Sequence, residues 1–399
     1  MKKIALLLLV LLLLSAPALA EEAREITKDA SFTVTKLKRG TLKRMLDRNR
    51  ETALQTDKQK SPTVTVQMKT EGCGALYIEF GNNIMPFSVQ AKDGDNWVDV
   101  ASWNDEYAQA YVEFPLQTEF RLAFDPGGAS KALYIREIYL FSEGERNDIP
   151  QIWEPPCEKA DLLMLVGHPD DELLWFGGLL PTYAGERGMR VEVCYLTCAN
   201  SCRRVELLNG LWHCGVRNYP DIGAFSDIKS YNAAKLYPQW GGTDKVDLYV
   251  ARLLRRYQPE VVVTQALDGE YGHAAHVICA RSMQRACALA ADPDYDPDSI
   301  ALYGVWEGKK VYVHKGEPPT TVMDWRAPLE AFGGKTSFEV AEEAYRLHAS
   351  QPQPRNGKKS LYYVTPEDDK NSSFIYTLIW SAVGEDTVGG DLFENVALK

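Results

Sequence analysis

The chain has 399 residues, of which 45% are hydrophobic and 25% charged, and a formal net charge of −11. That length exceeds what one hydrophobic core usually serves, so two domains are expected. The acidic balance argues against nucleic acid or an anionic lipid surface as main partner and favours neutral or weakly charged substrates.

Residues 1–20 read as a secretion signal. Lys2 and Lys3 form the basic start, Ile4 to Leu14 the apolar core, and Ala18-Leu19-Ala20 the small-residue site, with cleavage after Ala20. The alternative is an uncleaved anchor, because Ile4 to Ala20 is only just long enough to span a bilayer. Charged residues begin at once with Glu21 and Glu22, which favours cleavage. No Cys follows the site, which argues against a lipid anchor. A secreted or extracytoplasmic protein with no stable membrane span is expected.

Residues 25–146 read as β structure. "SFTVTKL", "TVTVQM", "ALYIEF", "FSVQAK", "YVEFPL", "FRLAF" and "ALYIREIYLF" alternate apolar positions and are separated by turn signals such as Gly81-Asn82-Asn83 and Pro126-Gly127-Gly128. This spacing predicts an all-β sandwich or jelly roll. "LKRMLDRNRETAL" breaks the pattern and reads as a helical turn or long loop. On "MLDRNRETAL" and the closing "LYIREIYLF", the segment resembles the galactose-binding-like β-sandwich family. The resemblance implies a module that binds sugar or one that only packs against a catalytic partner.

The proline-rich stretch at 147–160 reads as a linker. After it, "DLLMLV", "RVEVCYLT" and "EVVVTQ" are buried strand-like runs. They alternate with helical patterns: one running on to about Arg187, then "RRVELLNGLWHCGV", "TDKVDLYVARLLRRY" and "HAAHVICARSMQRACALA". Strand alternating with helix predicts a Rossmann-like α/β domain, a parallel sheet with helices on both faces, over 161–351. In such folds the working groups collect at the carboxyl ends of strands. From about residue 300 the pattern is mixed: "KKVYVH" is strand-like and "FEVAEEAYRLHASQ" helical. Residues 352–399 are expected to pack on the catalytic domain as an extension.

There are eight cysteines. Cys194, Cys198, Cys202 and Cys214 cluster near His213, without the C-x-x-C spacing of structural zinc sites, so a disulfide within the cluster or buried thiols are expected. His213, His314 and His348 stand alone and read as structural.

The chemistry concentrates in "LLMLVGHPDDELLWFGG", 162–178, where His168, Asp170, Asp171 and Glu172 follow an apolar run. Three adjacent carboxylates repel one another unless a cation or proton relieves them. His168 and Asp171 are three apart, as are His273 and His276 in "DGEYGHAAH", so each pair can aim two side chains at one point. Imidazole nitrogen and carboxylate oxygen suit a borderline cation such as Zn²⁺, and the same set accepts Fe²⁺. Glu172 could cap the following helix, assist the metal shell, or both. Trp175 and Phe176 read as core, with one of them a candidate for the pocket wall.

"GHPDDE" and "GEYGHAAH" resemble the two signature motifs of the PIG-L (LmbE-like) zinc-dependent N-deacetylases. The resemblance implies His168, Asp171 and His276 as metal ligands, Asp170 as the general base and His273 as oxyanion support or acid. It implies a water activated by the metal attacking an acetamide carbonyl while Asp170 takes its proton. Arg203, with Glu206 three residues on, and Asp227 in "GAFSD" are carried over as substrate contacts. The family often has Pro-Asp between the second motif's histidines. This chain has Ala274 and Ala275, a change that threatens a supporting hydrogen bond. The expected function is removal of an N-acetyl group from an N-acetylated amino sugar, of the N-acetylglucosamine type, in a glycan or glycoconjugate. The alternatives are an amidase acting on a sugar conjugate, and a glycan-binding surface protein whose second domain is inactive.

Overall fold

The computed structural model describes residues 22–144, 150–316, 318–352 and 363–397. The expected signal segment, 1–20, and the first part of the expected linker lie outside the described residues. Among the described residues no helix is long and apolar enough to cross a membrane.

The first part of the chain forms nine strands: β1 (Ala30–Val34), β2 (Leu54–Gln55), β3 (Thr63–Met68), β4 (Cys73–Phe80), β5 (Phe87–Asp93), β6 (Asn96–Trp103), β7 (Gln109–Gln117), β8 (Glu119–Phe124) and β9 (Tyr134–Phe141). They make a five-stranded sheet in the order β1-β3-β8-β5-β6 and a four-stranded sheet in the order β2-β9-β4-β7, with every pairing antiparallel. Alternation explains the burial. Val64 and Val66 of β3, Leu76 and Ile78 of β4, and Phe120 and Leu122 of β8 join one apolar cluster fed by both sheets. The break at "LKRM" is a single 3₁₀ turn, Leu42–Met45.

The second part runs β10 (Leu162–Val166), α1 (Asp171–Leu174), β11 (Val191–Thr197), α2 (Ser201–His213), β12 (Asp221–Phe225), α3 (Ala233–Leu236), α4 (Thr243–Tyr257), β13 (Val261–Thr264), α5 (Ala274–Ala291), α6 (Pro297–Tyr303), β14 (Lys310–His314), β15 (Thr321–Val322), α7 (Ser337–Arg346) and β16 (Ile375–Ser381). One sheet takes the order β12-β11-β10-β13-β14-β16-β15. β10 to β14 pair in parallel, and β16 joins antiparallel to both β14 and β15. The faces read directly from β10. Leu162, Met164 and Val166 enter a core shared with Leu207 and Leu211 of α2 and Ala341 and Ala344 of α7. Leu163 and Leu165 enter another, shared with Val250 and Leu254 of α4 and Ile278 of α5. Helices therefore cover both faces, and unbroken apolar runs such as "LLMLV" are what a doubly covered strand requires.

Three expectations change. The helix expected to run on to Arg187 is cut to four residues, with a separate helical turn at Pro181–Glu186. Gly177 between them has φ +49°, and a Cβ on Gly178 would stand 2.3 Å from Ser337 Oγ, so the chain turns where only glycine fits. The expected linker is packed where it is described: Trp153 is buried and Gln151 Nε2 donates to Asn209 Oδ1 at 2.7 Å. Residues 352–399 do more than pack on the sheet, because they supply β16 to it.

Candidate active site

The strand order reverses direction at β10, whose neighbours are β11 on one side and β13 on the other. A crevice opens outside the carboxyl ends of strands at such a point, and groups on the connecting loops converge there. The loop after β10 brings His168 to Glu172, the loop after β13 brings Glu270 to His273, and α5 begins immediately with His276 in its first turn. β11 leads into Asn200, whose side chain caps α2 by accepting from the N–H groups of Cys202 and Arg203. Asp227 follows β12. These loops line a cleft of about 410 Å³ that contains His168, Asp170, Asp171, Arg203, Asp227 and His273.

Asp171 is the hub. Its Oδ2 accepts from the His168 backbone N–H at 2.8 Å and lies 3.1 Å from His168 Nδ1 and 3.2 Å from His276 Nε2. Oδ1 accepts from Trp175 Nε1 at 3.0 Å, so Trp175 both lines the cleft and fixes the carboxylate. Phe176 is core, fully buried. Gly167 permits the crowding. A Cβ there would stand 3.3 Å from both Asp171 Oδ2 and His276 Cδ2. His273 joins the group, since ligand atoms of His168, His273 and His276 all fall within 4.8 Å of one another. His168 Nε2 lies 3.8 Å from Asp227 Oδ1.

Asp170 is held in an unusual conformation, φ +102° on a non-glycine residue, with its N–H donating to Glu172 Oε2 at 2.9 Å. Arg203 Nη2 lies 3.1 Å from Asp170 Oδ2 and also donates to the Pro169 carbonyl. The structure thus commits Arg203, expected on substrate, to the Asp170 carboxylate. Glu206 lies 3.8 Å from Arg203 Nη1 and accepts from the N–H and hydroxyl of Ser350 at 2.7 and 2.8 Å.

The electrostatics separate these groups. Burial raises Asp170 well above the ordinary carboxylate range, and Arg203 opposes that rise. Burial acts in the same direction on Asp171, but the imidazoles of His276 and His168 outweigh it and hold Asp171 well below that range. His276 is pushed up to about 10: burial opposes, and Asp171 and Glu270 prevail. His273 falls to about 3 through burial and then the neighbouring His168 and His276.

Two residues that sequence reasoning passed over complete the site. Glu270, present in the quoted motif but assigned no role, accepts from His276 Nδ1 at 2.7 Å. His314, expected to stand alone, sits 3.0 Å from Glu270 through its Nδ1. The supporting hydrogen bond that Ala275 seemed to remove is therefore made from the preceding loop for His276, while His273 Nδ1 is buried with no partner. His348 also has company, 3.6 Å from Glu172 Oε1, and His213 pairs with Glu343 at 3.1 Å. All eight cysteines are free thiols. Cys194 and Cys214 belong to cores on opposite faces of the sheet.

The donor set fits a divalent cation. Tetrahedral ligands about 2.1 Å from a cation stand about 3.4 Å apart, close to the 3.1 and 3.2 Å that separate Asp171 Oδ2 from the two imidazole nitrogens. His276 Nε2 is buried and has no hydrogen-bond partner. With Nδ1 donating to Glu270, its lone pair faces a carboxylate, a repulsion that only a proton or a metal relieves. His168, Asp171 and His276 could hold the ion, and His273 stands beside them.

Residues 163–287 match the family model for PIG-L, GlcNAc-PI de-N-acetylase, so this part of the chain is a PIG-L family domain. A 1D-myo-inositol 2-acetamido-2-deoxy-alpha-D-glucopyranoside deacetylase from Catenulispora acidiphila is 28% identical over 219 residues, 48% of this chain and 67% of that one. The protein of that name from Streptomyces scabiei is 28% identical over 192 residues, 41% of this chain and 58% of its own length. Among solved structures, the N,N'-diacetylchitobiose deacetylase of Pyrococcus horikoshii is similar at 18% identity and TM-score 0.35, over 49% of this chain and 72% of that one. A family 32 carbohydrate-binding module from Clostridium perfringens aligns at 15% identity and TM-score 0.26, over 30% of this chain and 99% of the module. The fold is defined by the strand orders above. The curated relatives are deacetylases of an N-acetylglucosamine-containing compound.

Proposed function

We propose that the protein is an exported hydrolase that uses a divalent metal, Zn²⁺ or Fe²⁺, to remove the N-acetyl group from an N-acetylglucosamine-type sugar or glycoconjugate. The observation that carries this reading is the single oxygen of Asp171 standing at ligand spacing from His168 Nδ1 and His276 Nε2. A cation bound there supplies Lewis-acid activation of water and of the amide carbonyl. Asp170, beside that cluster and braced by Arg203, accepts the proton of the attacking water. His273, a neutral ring with an N–H to offer, stabilises the negative charge that develops on the carbonyl oxygen. As the C–N bond breaks, the proton held by Asp170 passes to the leaving amine, so the products are acetate and a free amino sugar. Asp227 and the exposed rings of Tyr231 and Tyr271 line the same cleft and suit a polar sugar with apolar ring faces.

The N-terminal sheets belong, on this reading, to a galactose-binding-like sandwich at about 25–146, followed by the deacetylase domain at 161–351. The complete histidine and carboxylate set weighs against an inactive, purely glycan-binding protein. The test is metal content with acetate release. Purified protein should hold about one Zn²⁺ or Fe²⁺ per chain and release acetate from N-acetylated amino sugars in a chelator-sensitive manner. A chain that takes up no divalent metal at neutral pH refutes the proposal.

A further inference from the structure

The PIG-L match ends at residue 287, yet the hydrogen bonds that begin at His276 continue beyond it. Glu270 is fully engaged. Its Oε2 takes the His276 Nδ1 hydrogen at 2.7 Å, and its Oε1 accepts from the Ala266 N–H at 2.7 Å and from His314 Nδ1 at 3.0 Å. His314 ends β14, forty-four positions further along the chain, and its Nε2 is 3.0 Å from the Ser372 carbonyl just before β16. Every nitrogen and oxygen in this row is buried, with His314 and Glu270 side chains at 0% exposure. Both His314 nitrogens sit at hydrogen-bond distance from buried oxygens, so the ring cannot turn without leaving a buried polar atom unpaired. Glu270 is in turn confined by a left-handed backbone, φ +58°.

We propose that Glu270 and His314 are positioning residues for the metal centre: they fix His276 as the Nδ1–H tautomer and so present its Nε2 lone pair to the cation. The proposal rests on the metal-site reading above. Carboxylates behind metal-bound histidines generally work in this way, and their loss costs about 10–100-fold in metal affinity. Here the second histidine extends the support into β14 and the segment leading to β16, outside the matched family region. β14, separated from β10 by β13, and the segment just before β16 thereby become part of the support of the metal site.

The decisive variant is Glu270→Gln. Glutamine keeps the shape and can still accept from Ala266 and His314 with its carbonyl oxygen, but it turns an NH₂ toward His276 Nδ1. His276 must then place its hydrogen on Nε2, where the cation would bind. Zn²⁺ affinity, measured by competition with a chromophoric chelator, should fall at least tenfold, with an unchanged far-ultraviolet circular dichroism spectrum. His314→Leu should weaken Zn²⁺ about tenfold by freeing Glu270. Tautomer-sensitive nitrogen NMR of the Zn²⁺-loaded wild-type protein should show the His276 hydrogen on Nδ1, a readout that needs no variant to fold. Wild-type affinity in Glu270→Gln, or a His276 without the Nδ1 hydrogen in the Zn²⁺-loaded wild type, overturns the proposal. Failure of wild-type protein to bind Zn²⁺ at all would instead refute the metal-site reading on which it rests.

Discussion

Asp170 and Arg203 form a buried ion pair, with Oδ2 and Nη2 3.1 Å apart, at a point where the Asp170 backbone is left-handed. The pair joins the β10 loop to the first turn of α2. Arg203 opposes the rise in Asp170 proton affinity that burial causes. Arg203→Met therefore raises the Asp170 pKa further. The acidic limb of the pH–rate profile should move to higher pH, and the rate at pH 7 should fall by about 10–100-fold. A steady-state profile between pH 5 and 9 with bound metal held constant checks both. A profile that keeps its acidic limb in place would falsify the role given to this pair.

Gly167 packs directly behind two of the proposed metal ligands, Asp171 and His276. In Gly167→Ala the added carbon meets Gln265 Oε1 at 3.2 Å and Asp171 Oδ2 at 3.3 Å. Both atoms are held by hydrogen bonds, Gln265 Oε1 by the Gly167 N–H itself. The expected result is a folded protein with Zn²⁺ affinity reduced about tenfold, because a shift of a few tenths of an ångström falls on a ligand atom. Isothermal titration of the metal-free variant measures it. Unaltered affinity would mean that the loop relaxes around the methyl group.

Glu192 of β11 offers a test of stability away from the site. Its carboxyl is pushed up to about 8, mainly by burial, against the hydrogen bond from the Cys157 N–H at 2.8 Å. Its Oε1 is buried and unpartnered. The folded state holds this proton more tightly than the unfolded chain does. The associated stability is present below about pH 4.5 and is lost as the pH rises to about 8. Glu192→Gln should remove that slope and stabilise the protein at pH 8 by on the order of 2 kcal/mol. Urea unfolding midpoints at pH 5 and pH 8 should converge in the variant, and equal slopes in both proteins would contradict the assignment.

Much of this could be read in the chain, and the rest shows where reading fails. Runs buried on one face, such as "TVTVQM", or on both, such as "LLMLV", announce themselves by period or by length. β6 does not, because "NWVDVASW" lies at a sheet edge and buries only Trp103, so no apolar alternation is required of it. β2 is only two residues long, and β12, "DIGAF", buries no residue fully and resembles a loop. The helix after "HPDD" ends earlier than its hydrophobic spacing predicts, because that spacing continues through Gly177 and Gly178, which pack against Trp325, Ser337 and Ser373 far along the chain.

The site divides in the same way. His168, Asp171, His273 and His276 were legible because their spacing alone can aim side chains together. The structure brings them together by other means. Asp171 reaches back to the His168 N–H across a turn, and His273 is the residue just before α5, so helical spacing serves only the His276 end. Glu270 lay in plain view in "DGEYGHAAH" six positions before His276, and the absence of a carboxylate at 275 was the one available signal that another must take its place. His314 gave no local sign, since its partner is forty-four residues away.

The antiparallel lodging of β16 between β14 and the two-residue β15 has a practical consequence for anyone cutting this chain. Without β16, β14 would be a fully buried border strand, "KVYVH", with a free row of amides and carbonyls. A fragment trimmed near residue 351, the expected end of the deacetylase domain, would expose that border to solvent and invite edge-to-edge self-association. Expression work on the hydrolase portion should therefore retain the tail through Ser381, even though little in its sequence advertises the need.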